Sequence, residues 1–172
     1  MIIKIIKDDI TKLDSSYECI VNAANETLLG GGGVDGAIHS AAGPKLIEEC
    51  RTLGGCNPGE VKATKAYNLP QKYIIHTVGP RYYYSSNPEE VLRNCYKNSL
   101  LLADTLGCKS IVFPSIATGV FGYPVIEASK IVADILFSFN GKNIKEIYVC
   151  ILPNDIKTYN AYKEAFYIKE QN

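Results

Sequence analysis

The chain has 172 residues, 47% of them apolar, with 18 Lys plus Arg against 18 Asp plus Glu, so it carries no formal net charge at neutral pH. That length and composition suit one domain over residues 1–172 with one substantial core, and they exclude a disordered chain. The charge balance excludes the long-range field that gathers nucleic acid, and Lys and Arg are scattered rather than clustered.

In chain order, Ile2, Ile3, Ile5 and Ile6 make a first strand within Met1–Lys7, with no cationic leader or cleavage site before it. Lys7–Thr11 reads as a loop and Cys19–Ala24 as a second, buried strand. Val34–Ala42 is a short helix broken by Gly43-Pro44, and Lys45–Leu53 resumes helically until Gly54-Gly55. Lys62–Leu69 and Tyr73–Val78 are strands joined too tightly for a crossover helix, so they are expected to be antiparallel neighbours. Arg81–Asn87, with Tyr82, Tyr83 and Tyr84, is a polar loop. Pro88–Leu106 has the clearest apolar stripe, with Pro88 at the first position and Glu89 and Glu90 in the first turn. Ser110–Pro114 is a strand, Ser115–Tyr123 a second glycine-bearing loop and Pro124–Phe139 a helix. Glu146–Leu152 is the last strand, and Asn154 is placed to cap a last helix running to about Lys169. Alternating helices and strands in the second half imply parallel strands with crossovers. The expected fold is α/β: a mixed sheet of about six strands between helical layers.

The six cysteines form no C-x-x-C pair and sit mostly in apolar segments, which is the pattern of buried free thiols in a reducing cytoplasm. Two histidines offer no zinc constellation, so no metal and no cofactor is expected. No apolar run approaches the roughly 20 residues of a membrane span, so no membrane association is expected either.

Chemistry concentrates in two strand-to-helix loops. Gly30–Gly33 are four glycines in a row, costly to order and useful where backbone N–H groups approach a ligand. The helix starting at Val34 adds its N-terminus, which favours an anion. Asp35 is out of place in a phosphate cradle, since like charges repel, so it either caps the helix or takes part in chemistry. Ser115–Tyr123 repeats the design, with Thr118 able to donate a hydroxyl, and neither loop contains Lys or Arg. Gly31-x-Gly33-x-x-Gly36 fits a dinucleotide fingerprint formally, but it trails its strand and Cys56 stands where an acid is wanted. P-loop and G-x-S-x-G patterns are absent.

Val21-Asn-Ala-Ala-Asn25, Leu29–His39, Ala42-Gly-Pro44, His76-Thr-Val-Gly-Pro80 and Pro114–Pro124 closely resemble the macrodomain family of the MacroD type, over nearly the whole chain. Asp8 and Ala117 stand where that family commonly has Gly and Ser. The resemblance implies a three-layer α/β/α macrodomain that binds ADP-ribose and hydrolyses esters on its distal ribose: O-acetyl-ADP-ribose and mono-ADP-ribose on acidic side chains of ADP-ribosylated proteins. It implies that Asp9, beside the Ile10 backbone, accepts from the adenine amino group and that Asn25 bonds the distal ribose. Asp35 would activate water, unless a ligand phosphate takes the proton, and His39 would steady it from one helical turn on. Gly32, Gly33 and Val34 would cradle one side of the diphosphate, and Ser115, Ala117, Thr118, Gly119, Val120, Phe121 and Gly122 the other, with Phe121 packing on the ribose. Asn22 reads as structural, bonding backbone between loops, and His76 as structural within its strand. By the resemblance either Tyr159 or Tyr162 could lie against adenine, but with twelve tyrosines in the chain core packing is favoured for both. The chain is expected to act as a monomeric hydrolase; the alternative is an ADP-ribose reader without turnover. Nucleic acid is a poor third, for want of a basic groove.

Overall fold

A computed structural model describes all 172 residues. Its strands are β1 (Ile2–Lys7), β2 (Cys19–Ala24), β3 (Val61–Thr64), β4 (Tyr73–Val78), β5 (Ser110–Phe113) and β6 (Glu146–Ile151). Its helices are α1 (Gly33–Ala42), α2 (Pro44–Arg51), α3 (Pro88–Thr105), α4 (Val125–Ser138) and α5 (Ile156–Glu170). The strands form one six-stranded sheet in the order β1-β6-β5-β2-β4-β3. All neighbours run parallel except β3 and β4, which are antiparallel.

Alternation along the strands feeds two cores. Cys19, Val21, Ile75, Ile111, Phe113, Ile147 and Val149 pack on one face, under Leu92, Tyr96 and Leu100 of α3, Val132 and Leu136 of α4, and Tyr162 and Phe166 of α5. Ile20, Ile74, Val78, Val112 and Cys150 pack on the other, under Ile38 of α1 and Leu46 and Cys50 of α2. The expected three layers are therefore present, with three helices on one face and two on the other. Each fully buried Leu, Ile or Phe contributes on the order of 1.5–3 kcal/mol. All six cysteines are free and buried. No helix is long and apolar enough to cross a membrane.

Four local expectations need correction. β3 stops at Thr64 rather than Leu69: Tyr67 takes a positive φ of 54°, and the Leu69 N–H donates to the Ala66 carbonyl at 3.0 Å, so the chain turns back. The loop after β1 contains a 3-10 turn, Ile10–Lys12, capped by the Asp9 carboxylate, which accepts from the Thr11 N–H. Pro44 starts α2 instead of merely breaking α1, in keeping with its preference for the first helical position. Asp155, not Asn154, caps α5, accepting from the Thr158 N–H at 3.2 Å.

Candidate active site

Five parallel strands present their carboxyl ends to the same side of the sheet, where an α/β fold places its ligand crevice. The segments leaving all five meet there. Asp8–Ile10 follow β1, Leu152 and Asp155 follow β6, Pro114–Phe121 follow β5, Asn25 and Gly31–Asp35 follow β2, and Gly79 and Arg81 follow β4. They enclose a cavity of about 690 Å³, a volume suited to a ligand of nucleotide size.

The loop after β5 is anchored from below. The Tyr96 hydroxyl donates to the Pro114 carbonyl at 3.1 Å and accepts the Ile116 N–H at 3.0 Å. Tyr162 reaches Ser115 Oγ at 3.0 Å, and Ser115 Oγ lies 2.7 Å from Thr118 Oγ1. The loop closes on itself as the Tyr123 N–H donates to the Ala117 carbonyl at 2.9 Å, with Ala117 at a φ of 68°. Between those ties, no N–H from Ala117 to Phe121 donates to a backbone carbonyl. Opposite, the first-turn N–H groups of α1 have no intrahelical acceptor, and the cap residue Gly32 supplies no side chain to satisfy them. Two banks of unpaired amides thus line the cavity with no cation in either loop.

Asn25 shapes the loop after β2. Its Oδ1 accepts from Thr27 and Leu28, and its Nδ2 donates to the Gly30 carbonyl at 2.8 Å, leaving one amide proton unused. Close approach then explains one glycine: a Cβ at Gly36 would lie 2.5 Å from the Gly31 carbonyl oxygen. Gly31 in turn leaves room for two side chains, since its Cβ would be 3.1 Å from Asp35 Oδ2 and 3.4 Å from Asn25 Nδ2.

Asp35 is only 4% exposed and caps nothing. Its Oδ1 accepts from Asn22 Nδ2 at 2.8 Å and lies 3.4 Å from His39 Nε2, while Oδ2 accepts no hydrogen bond from the chain. Burial pushes its pKa above the ordinary 3.8, against the opposing pull of the Asn22 hydrogen bond and of His39. The site therefore holds a buried acid whose proton affinity is raised, pinned by one oxygen and open at the other.

A family model for the Macro domain matches residues 21–132. The chain is a macrodomain. It is 51% identical to the Macro domain-containing protein CT2219 of Chlorobaculum tepidum, over 92% of this chain and 94% of that protein. It is 43% identical to the human ADP-ribose glycohydrolase MACROD2 over 99% of this chain, yet spans only 41% of MACROD2. Among solved structures, a variant of the Oceanobacillus iheyensis macrodomain with ADPR superposes at a TM-score of 0.88, with 40% identity, covering 98% of this chain and 93% of that one. The Trypanosoma brucei macrodomain in complex with ADP-ribose gives a TM-score of 0.81 at 40% identity, covering 94% and 68%.

In this macrodomain Asp9, Ile10, Asn25, Gly32, Gly33, Val34, Asp35, Ser115, Ala117, Thr118, Gly119, Val120 and Phe121 all line the one cavity. Two of the residues named from sequence do not. The Gly122 N–H is spent on the Gly119 carbonyl at 3.0 Å, closing a turn against Tyr83. His39 stands behind Asp35 and faces a separate hollow beside Gly43 and Pro44, because one turn carries it about 6 Å along the axis of α1, away from the crevice. The Thr118 hydroxyl turns back toward Ser115, 2.7 Å from its Oγ and 3.2 Å from its carbonyl. Tyr162 is wholly buried, and Tyr159 lies under Lys7 Nζ at 4.1 Å; neither lines the cavity. Asn22 bonds side chains, Asp35 and His76, rather than backbone.

Sequence reasoning missed Arg81, Leu152, Asp155 and Thr158 as lining residues. Arg81 places its guanidinium 5.3 Å from the centre of the Phe121 ring, and the neighbouring Tyr82 N–H latches onto the Phe121 carbonyl at 2.9 Å. The available signal was topological: each follows the carboxyl end of a strand in the parallel set.

Proposed function

We propose that this macrodomain binds ADP-ribose in the crevice and hydrolyses esters on its distal ribose, acting on O-acetyl-ADP-ribose and on mono-ADP-ribose carried by acidic side chains. The observation that carries this reading is Asp35, a buried carboxylate with raised proton affinity set at the junction of two amide-lined loops. A catalyst needs such a group; a pure anion-binding pocket is weakened by one, because it repels phosphate.

In this reading the diphosphate lies between the α1 N-terminus and the amides of residues 117–121, each a source of fixed positive dipole. Asp9 has one carboxylate oxygen engaged by Thr11, so its other oxygen meets the adenine amino group. The spare Asn25 amide proton meets a ribose hydroxyl, and Phe121, backed by Arg81, packs on the sugar. Asp35 Oδ2 takes a proton from water, whose oxygen bonds to the acyl carbon. The bond from that carbon to the ribose oxygen breaks, Asp35 returns the proton to that oxygen, and the sugar hydroxyl and the carboxylic acid are released. His39 steadies Asp35 without facing the substrate. The relatives support the reading: MACROD2 is named an ADP-ribose glycohydrolase, and two macrodomain structures contain ADP-ribose.

The test is acetate release from O-acetyl-ADP-ribose, alongside release of ADP-ribose from a glutamate-modified protein. Turnover of either supports the hydrolase. Saturable ADP-ribose binding with no turnover of either would leave the reader and refute the enzyme.

A further inference from the structure

His76 is a buried titratable group that the proposed chemistry does not use, and it sits in a chain of hydrogen bonds ending on Asp35. β2 and β4 pair in parallel register with Asn22 opposite His76, on the sheet face covered by α1 and α2. Thr64 Oγ1 lies 2.9 Å from His76 Nε2, and Asn22 Nδ2 lies 3.1 Å from His76 Nδ1. The Thr64 hydroxyl also donates to the Lys65 carbonyl at 3.0 Å.

An ionised Asp35 can only accept, so Asn22 turns its NH2 group toward it and the same nitrogen meets His76 Nδ1. With the Lys65 carbonyl in reach for its own proton, the Thr64 hydroxyl is placed to accept from Nε2. Nε2 of His76 therefore carries the hydrogen and Nδ1, in the neutral ring, is an acceptor. Asn22 must then present its NH2 group to Nδ1, and the second proton of that group goes to Asp35 Oδ1 at 2.8 Å. Turning the amide over would place its oxygen against two acceptors at once. The unbonded Oδ1 of Asn22 fits an amide oriented by its donors alone.

We propose that Thr64 and His76 are positioning residues that lock the Asn22 amide so that it always donates to the reactive carboxylate. The inference deepens the proposed hydrolase and rests on Asp35 being its water-activating group. Burial supports it, holding the His76 pKa down to about 3, so the ring stays neutral through the working range. Other groups that face the pair are His39 on α1, Cys50 on α2 and, on β3, Lys62, whose ammonium is engaged by the Leu53 and Gly55 carbonyls. None supplies Nε2 with a second acceptor.

The experiment combines nitrogen-15 long-range NMR of the two histidines with kinetics of Thr64→Val and Thr64→Ser. His39→Gln assigns the spectra. Wild type is expected to show the Nε2–H tautomer at His76. Thr64→Val should convert it toward Nδ1–H, turn the Asn22 amide and lower kcat about 10-fold, the size of effect that losing an outer orienting hydrogen bond produces. KM should hold, the acid limb of the kcat profile should move, and Thr64→Ser should restore all three. An Nδ1–H tautomer in wild type overturns the proposal even if no variant folds, and so does a Thr64→Val enzyme with wild-type kcat and acid limb. If Asp35→Ala keeps full turnover while wild type shows Nε2–H, the water-activating role of Asp35 has failed and the lock is merely structural.

Discussion

The two loops that face each other across the crevice are built by different means. The loop after β5 is held by two buried tyrosines beneath it and carries no charged side chain, presenting a run of amides. The loop after β2 is held by Asn25 and by glycines whose backbone the helix approaches closely, and it delivers a buried acid. In the proposed function, one side grips, and the other grips and reacts. Damage to the first should appear in affinity, while damage to Asp35 should appear in rate.

Asp35→Ala breaks the comparison hardest. Turnover of O-acetyl-ADP-ribose should fall about 10²-fold or more, as for a lost general base, while calorimetry should show ADP-ribose affinity within about 3-fold of wild type or tighter, because a like charge is gone. Gly36→Ala comes next. Its Cβ meets the Gly31 carbonyl oxygen at 2.5 Å, and such overpacking costs roughly 1–3 kcal/mol. Thermal melts should drop by several degrees, and binding and turnover should fall together, because the whole loop shifts.

Tyr162→Phe sharpens the other side. It removes one hydrogen bond to Ser115, a loss of about 1 kcal/mol, so ADP-ribose should bind up to about 5-fold more weakly with kcat unchanged. The smallest effect is on stability. Asp35 has a native pKa raised by burial above its ordinary 3.8. The native state therefore holds that proton more tightly than the unfolded chain, and stability declines as pH rises from 3.8 through the native value. Asp35→Asn does not titrate there. The margin by which its melting temperature exceeds that of wild type should widen as pH rises from about 3.8 and Asp35 ionises. Melts at pH 4 and pH 8 check it.

Much of this was legible in the chain itself. β2 and β4 run over the residues that their apolar patterns mark, and the alternation after Pro88 implied the parallel crossovers. The run of glycines and the acid beside it marked the loop after β2. What stayed hidden depends on register. Asn22 and His76 are 54 positions apart and meet only because β4 lies beside β2, so nothing local to Asn22 distinguishes it from a backbone tie. Likewise Arg81 and Asp155 enter the crevice through strand order, which a single sequence does not display. The end of β3 was misjudged because Tyr67 adopts a left-handed φ that its residue type disfavours, held by its hydroxyl bond to Glu49 at 2.6 Å.

The central claim is that backbone amides on both sides of the crevice hold a diphosphate. Nitrogen-15 amide spectra recorded while ADP-ribose is added test it most directly. The account predicts large saturable shifts at Gly32, Gly33 and Val34 together with Thr118 to Phe121, at one common dissociation constant. Saturable binding that leaves either set of amides unmoved would contradict it.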